Sequence, residues 1–138
     1  MLGIMQDWPL TVDKIMEHAR LQHAKREIIT RRVGGEIVRT TYADVFLQSK
    51  QVSNALKSGG IGLGDRVATL GWNSARHMST WYGAMGIGAV LHTINPRLHP
   101  NRLPGSQTTQ KTRCSYSTPH SCRSLRRSKI ICRPLKHL

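Results

Sequence analysis

Histidine is the side chain that moves a proton near neutral pH, and of the five in the first hundred residues His77 and His92, in and beside the central strand and helix patterns, could serve as bases or ligands. A general base needs an orienting partner, and a metal ligand needs further ligands nearby in the fold. No carboxylate or cysteine stands at metal-ligand spacing from either ring, so both read as ordinary histidines. Cys114, His120, Cys122, Cys132 and His137 have the side-chain types that zinc accepts. Their cysteine separations are long and contain no Cys-x-x-Cys pair, which argues against a zinc site. Arg123, Arg126, Arg127, Lys129 and Arg133 lie among serines and could grip phosphate by charge, giving nonspecific and salt-sensitive nucleic-acid binding.

Glycine-rich runs raise a further possibility, a phosphate cradle. One is Gly59-Gly60-Ile61-Gly62-Leu63-Gly64 and the other Gly83-Ala84-Met85-Gly86-Ile87-Gly88. A phosphate loop leaves a strand and opens a helix, so that helix N-terminal N–H groups face the anion. Both runs leave a helical pattern and enter a strand pattern, so they read as joints. The residues alone therefore assign no catalytic, cofactor-binding or metal-ligating position.

The elements that would position these groups are legible from periodicity. Residues 67–70 form a short apolar run between turn formers, as expected of a strand buried on both faces. Asn73 or Ser74 can cap the helix that follows. In it Met78, Trp81, Tyr82 and Met85 recur at i, i+3, i+4, i+7, which predicts a face packed on the sheet. The turn at Gly86-Ile87-Gly88 leads to a second strand over 89–94, stopped by Asn95-Pro96. Strand, helix and strand with short joints make one βαβ unit, with parallel strands and a right-handed crossover.

Upstream, Thr11 can cap a first helix whose Val12, Ile15, Met16 and Ala19 share one face. Residues 27–32 read as a strand, Val33-Gly34-Gly35-Glu36 as a tight hairpin turn, and 37–40 as the returning strand. Thr41-Tyr42-Ala43-Asp44 is a capping-box variant, with Asp in place of the commoner Glu. The helix behind it presents Tyr42, Val45, Phe46, Val52 and Leu56, and ends at Gly59-Gly60 in a left-handed cap.

Charge divides the chain. Residues 1–100 hold 12 Lys and Arg against 7 Asp and Glu, a net of +5, whereas 101–138 hold 9 basic residues and no acidic one, a net of +9. The high isoelectric point describes a tail more than a domain, and requires no basic nucleic-acid surface on the globular part. Apolar periodicity also stops after Pro100, so 101–138 is expected to be a disordered basic tail without helix or strand. All three cysteines lie there. An odd number without a secretory signal points to a reduced, cytoplasmic chain, and no run reaches the roughly 20 apolar residues of a membrane span. The length allows one domain of ordinary size.

At this point the residues carry a resemblance. Thr41-Tyr42-Ala43-Asp44, Ala55-Leu56, Gly64-Asp65-Arg66-Val67-Ala68, Trp72-Asn73, Trp81-Tyr82-Gly83, Gly86-x-Gly88-Ala89-Val90 and Asn95-Pro96-Arg97-Leu98 occur in that order. Together they resemble the amino-terminal end of the AMP-forming acyl-CoA synthetases. Met5-Gln6-Asp7-Trp8-Pro9-Leu10 and His92-Thr93-Ile94 with the residues that follow are similar to the branch acting on medium- or long-chain fatty acids, or small relatives such as methylthiopropionate. The likeness runs unbroken through about the first hundred residues; each piece is weak alone and the set is specific.

The resemblance implies an α/β fold: the N-terminal part of the large domain of adenylate-forming enzymes, a mixed sheet with flanking helices. It implies a two-step ligase in which a fatty or other small carboxylic acid attacks the α-phosphate of ATP and CoA then displaces AMP. ATP, Mg and CoA are cofactors and substrates of the full-length family. Its phosphate loop, magnesium ligand, ribose-binding Asp and C-terminal Lys have no counterpart here. Ser106-Gln107-Thr108-Thr109-Gln110-Lys111 echoes the phosphate loop, but Gln107 and Gln110 stand where glycines are needed and no strand pattern precedes it. The Trp81, Tyr82 and Met85 stripe could line an acyl pocket, although its spacing reads as core.

The expectation is thus residues 1–100 as a truncated acyl-CoA synthetase segment and 101–138 as a tail. Acids, periodicity and resemblance disappear together after Pro100, which a shifted reading frame explains. A faint likeness over 132–138 suggests a restoring shift. Such a chain alone is expected to be inactive, binding no cofactor itself, and to self-associate through apolar faces left without partners. The competing reading is a noncatalytic basic module that binds nucleic acid or another acidic partner through 101–138.

Overall fold

A computed structural model of the chain describes residues 7–32, 34–95 and 97, and the backbone of 114–117 and 129–132. Helix α1 spans Val12–His23. Thr11 takes the N-cap position with extended backbone angles, but its side chain makes no capping hydrogen bond, contrary to the sequence expectation. Of the apolar face expected of α1, Met16 is buried and Ala19 packs beside it, whereas Ile15 is 61% exposed. The helix meets its neighbours along a narrower stripe than its periodicity offers.

Strands β1 (Glu27–Arg31) and β2 (Ile37–Thr41) pair antiparallel, with Ile29 opposite Arg39. The turn between them closes through Arg32 N–H to the Glu36 carbonyl and Gly35 N–H to the Arg32 carbonyl, both 2.8 Å. Gly35 has φ +86°, a conformation open to glycine at little cost. The capping box that starts α2 (Tyr42–Ser58) is present in full. Asp44 N–H donates to Thr41 Oγ1 at 3.2 Å, and Thr41 N–H donates to Asp44 Oδ2 at 3.0 Å. At the far end the left-handed cap expected of the Gly59-Gly60 pair is made by Gly60, with φ +76°, after Gly59 at φ −81°. Gly60 N–H reaches the Lys57 carbonyl and Ile61 N–H the Leu56 carbonyl, the paired bonds that close a helix with an apolar contact between its last turn and the chain beyond. Leu56 and Ile61 share one core cluster with Val67, Ala84 and Ala89.

β3 (Arg66–Leu70) is buried from Val67 onward, α3 follows at Ala75–Met85, and β4 (Val90–Ile94) lies parallel to β3 with Ala68 opposite His92. The expected strand, helix and strand unit is therefore formed. Its helix is turned differently from the expectation. The residues of α3 that are buried are Ala75, His77, Ser79, Thr80, Gly83 and Ala84, while Trp81 is 38% exposed. Met78 and Tyr82 pack with Met16, Val45 and Ala75 against α1 and α2. Because α3 is wedged between the sheet and α2, its inner positions must be small, and the large side chains are displaced to the margins.

Two further strands, β5 (Cys114–Ser117) and β6 (Lys129–Cys132), complete a mixed sheet in the order β4-β3-β5-β6. β5 runs parallel to β3, and β6 antiparallel to β5. These eight residues correct the expectation that 101–138 holds no strand. A four-residue strand is too short to show alternation, and its ladder is made by backbone groups whatever the side chains. The expected disorder elsewhere in 101–138 falls outside the described residues.

Candidate functional site

The junction between β3 and α3 gathers the chemically most capable side chains. β3 delivers Thr69, fully buried, to its carboxyl end. The turn through Gly71, Trp72 and Asn73 leads to Ser74, whose side chain caps α3 by accepting from His77 N–H at 3.2 Å. A second anchor comes from the hairpin, where Thr30 Oγ1 accepts from Ala75 N–H at 3.1 Å. The first turn of α3 is thereby held from both sides, and it carries the His77 ring inward.

His77 is 6% exposed. Its Nε2 lies 3.0 Å from Thr69 Oγ1, and the Trp81 ring meets it edge-on with centroids 5.6 Å apart. Burial pushes its pKa below the usual histidine value, and a hydrogen bond to the Trp72 backbone opposes that shift. The lowered value keeps the imidazole neutral near pH 7. Its hydrogen bonds tie strand to helix. Just outside, the Arg97 guanidinium sits over the Trp72 ring at 5.8 Å, a cation–π contact between residues that follow the carboxyl ends of the parallel strands β4 and β3. His92 is half-buried on β4, away from this turn in sequence and opposite Ala68 in register.

Neither glycine run offers a phosphate cradle. The N–H groups of Gly59, Gly60, Ile61, Gly62 and Gly64 all donate within the protein, to Ala55, Lys57, Leu56, Asp65 and Gly88. In the second run Gly86, Ile87 and Gly88 donate to carbonyls of α3. Gly83 is not part of a joint, as its run had suggested, but a packing position inside α3. A Cβ there would meet Val52 Cβ at 2.7 Å and the Ser49 carbonyl oxygen at 2.8 Å. Ser53 Oγ donates to the Gly83 carbonyl at 2.8 Å across the same contact. Small residues at four-residue spacing, Ser49 and Ser53 on α2 with Ser79 and Gly83 on α3, were the sequence signal for this close approach.

Among the described residues no group of three or more His, Cys, Asp or Glu could hold a metal ion. With their N–H groups engaged inside the protein, the two joints leave no cluster of backbone donors facing outward for a phosphate. Of the zinc-ligand types named above, Cys114 and Cys132 are brought opposite each other in the β5–β6 ladder. His120, Cys122 and His137 lie outside the described residues, as do the Ser106 to Lys111 echo and Arg123, Arg126, Arg127 and Arg133. Of the Trp81, Tyr82 and Met85 stripe, Tyr82 packs in the cluster with α1 and α2 while Trp81 reaches solvent.

With this geometry in place, the likeness to known proteins decides the lineage. The model of the family described as AMP-binding enzyme matches residues 16–110. The chain belongs to the AMP-binding enzyme family. It is 41% identical over 99 residues to the long-chain-fatty-acid–CoA ligase of Thermus thermophilus, a match covering 72% of this chain and 18% of that protein. It is 38% identical over 103 residues to the 3-methylmercaptopropionyl-CoA ligase of Ruegeria lacuscaerulensis, covering 75% and 19%. Among solved structures it is similar to the N-terminal domain of FACL13 from Mycobacterium tuberculosis, with TM-score 0.70 and 24% identity over 78% of this chain and 26% of that one. The fold is thus that of the N-terminal domain of adenylate-forming enzymes. The chain spans about a fifth of the length of the curated relatives it matches. No helix among the described residues is long and apolar enough to cross a membrane.

Proposed function

We propose that this chain is the opening segment of an AMP-forming fatty acid–CoA ligase, catalysing ATP + carboxylic acid + CoA to acyl-CoA + AMP + pyrophosphate when complete. In this reading residues 1–100 are the ligase segment and 101–138 a tail produced by a shifted frame. The observation that carries it is the unbroken family match at 38 to 41% identity to ligases of which the chain covers under a fifth. That chemistry needs backbone donors around the phosphates, a cation and a positive side chain on the developing charge. The described residues supply none of these together, so the 138-residue chain is inactive alone. In this reading the complete enzyme works in the cytoplasm, where ATP and CoA are both supplied.

The test is direct. Purified chain given ATP, magnesium, CoA and a series of fatty acids should release no pyrophosphate above the protein-free background; measurable turnover overturns the inactivity. Genomic DNA read past codon 100 in all three frames should continue the ligase sequence in another frame. A confirmed sequence with the same tail in frame in close relatives rejects the shifted frame. The basic-module alternative rests on the +9 charge of 101–138. It requires nucleic-acid binding that is sequence-selective and survives near-physiological salt in a mobility-shift titration, and binding that fades with salt leaves charge alone.

A further inference from the structure

Phe46 lies in the seam between α1 and α2, half-buried and packed against the Met16 and Val45 cluster. Two cations close on its ring. The Arg20 guanidinium of α1 is 4.9 Å from the ring centroid, and Lys50 Nζ, one turn further along α2, is 5.2 Å from it. Like charges gathered on one ring repel, and a nearby carboxylate would be the ordinary relief. None is there. All seven acidic side chains of the chain fall among the described residues, and none forms an ion pair with Arg20 or Lys50. Glu17, Glu27 and Glu36 pair with Lys14, Arg39 and Arg32, Asp44 is engaged in the α2 cap, and Asp13 stands seven positions from Arg20 along α1. Arg20 Nε is buried and has no hydrogen-bond partner among the described residues. Apolar surface adjoins these charges. Leu21, next to Arg20, and Leu47, next to Phe46, are each 60% exposed. Two turns before Leu21 on the same face of α1, Lys14 Nζ covers the exposed Trp8 ring at 5.3 Å.

We propose that the α1–α2 seam docks on an anionic phospholipid surface. Headgroup phosphates meet Arg20 and Lys50, while Leu21 and Leu47 enter the boundary with the acyl chains. Unpaired cations beside exposed apolar side chains are what a helix pair needs to lie on a bilayer rather than cross it. Nucleic acid would meet the charges but leave both leucines in water. A second copy of the chain would bring the same unpaired cations to the seam and set cation against cation. The inference rests on the fold of residues 12–58 alone, so it stands or fails independently of the ligase reading.

The full chain is sedimented with sucrose-loaded vesicles of phosphatidylcholine alone, and of phosphatidylcholine mixed with phosphatidylglycerol, at about 0.15 M salt. The parent chain should partition to the anionic vesicles and not to the neutral ones. The nine basic residues of 101–138 attract every variant alike, so the decisive comparison is between variants of equal net charge. Each cation at the surface is worth about fivefold in partition, so R20Q with K50Q should lower binding about thirtyfold. R31Q with R32Q, which removes the same charge from the hairpin, should lower it less than about threefold because distant charges are screened. L21N with L47N leaves the charge untouched and should lower binding about tenfold. K50Q alone, at an exposed position, should cost about fivefold, which keeps the test decisive if R20Q fails to fold. Equal losses from the two charge pairs, equal binding to neutral vesicles, or full binding by L21N with L47N each overturn the proposal. So does duplex DNA held as tightly as the anionic vesicles and weakened by the same R20Q with K50Q, or a leucine pair whose replacement changes only the oligomeric state.

Discussion

Gly83 shows how much one missing Cβ decides. Alanine at that position would gain roughly 1 kcal/mol of helix propensity, yet its Cβ would sit against Val52 and the Ser49 carbonyl, both held by helix backbone that cannot swing aside. Overpacking of this kind costs about 1 to 3 kcal/mol, so G83A should lower stability by about 1 kcal/mol net, read as a smaller denaturation midpoint at unchanged slope. His77 makes a second prediction at the same scale. Its folded pKa is depressed, so the unfolded chain binds the proton more readily and stability is lost as pH falls below the ordinary histidine value of about 6.5. H77Q should flatten the stability profile between about pH 7.5 and 5.5, measured by urea denaturation across that window. A slope unchanged from the parent chain would assign the acid sensitivity to other groups.

At the scale of elements, the α2 start is the most self-contained device. Thr41 and Asp44 satisfy each other's N–H groups, and the Thr41 side chain, followed by its backbone, holds the Asp44 pKa below the usual carboxylate value. A depressed carboxylate contributes stability present above its unfolded pKa of about 3.9 and lost as pH falls through the folded one. T41A should cost about 1 kcal/mol by removing the cap, and D44N should remove the cap's share of the acid loss below about pH 4, both read from helical circular dichroism during denaturation. This element was legible in sequence because its cause is local: four consecutive residues carry both halves of the motif. The hairpin glycines and the strand, helix and strand order were legible for the same reason. The inward face of α3 was not, because periodicity counts apolar residues, whereas a helix wedged between a sheet and α2 selects small ones, Ser79, Thr80, Gly83 and Ala84 among them. β5 and β6 were invisible since their ladder is made by backbone. The β3–α3 junction joins Thr30, Thr69 and His77 across up to 47 positions of sequence, a proximity that only the fold creates.

For the whole molecule, two forces oppose each other. Apolar residues including Leu10, Ile15, Leu21, Ile29, Ile37 and Leu47 are each at least 59% exposed, more than scattered surface positions require, and such surface drives association. A net charge of +14 on 138 residues keeps copies apart. Salt separates the two, because the Debye length falls from about 10 Å at 0.1 M to about 3 Å at 1 M while apolar contact is not screened. If the exposed faces govern, sedimentation at rising sodium chloride should show the chain shifting from monomer toward larger species, and charged replacements such as I15E with I37E should reverse the shift. Association that instead weakens with salt would mean that acidic contaminants or partners bind the basic residues, and the apolar faces would then be too dispersed to act together.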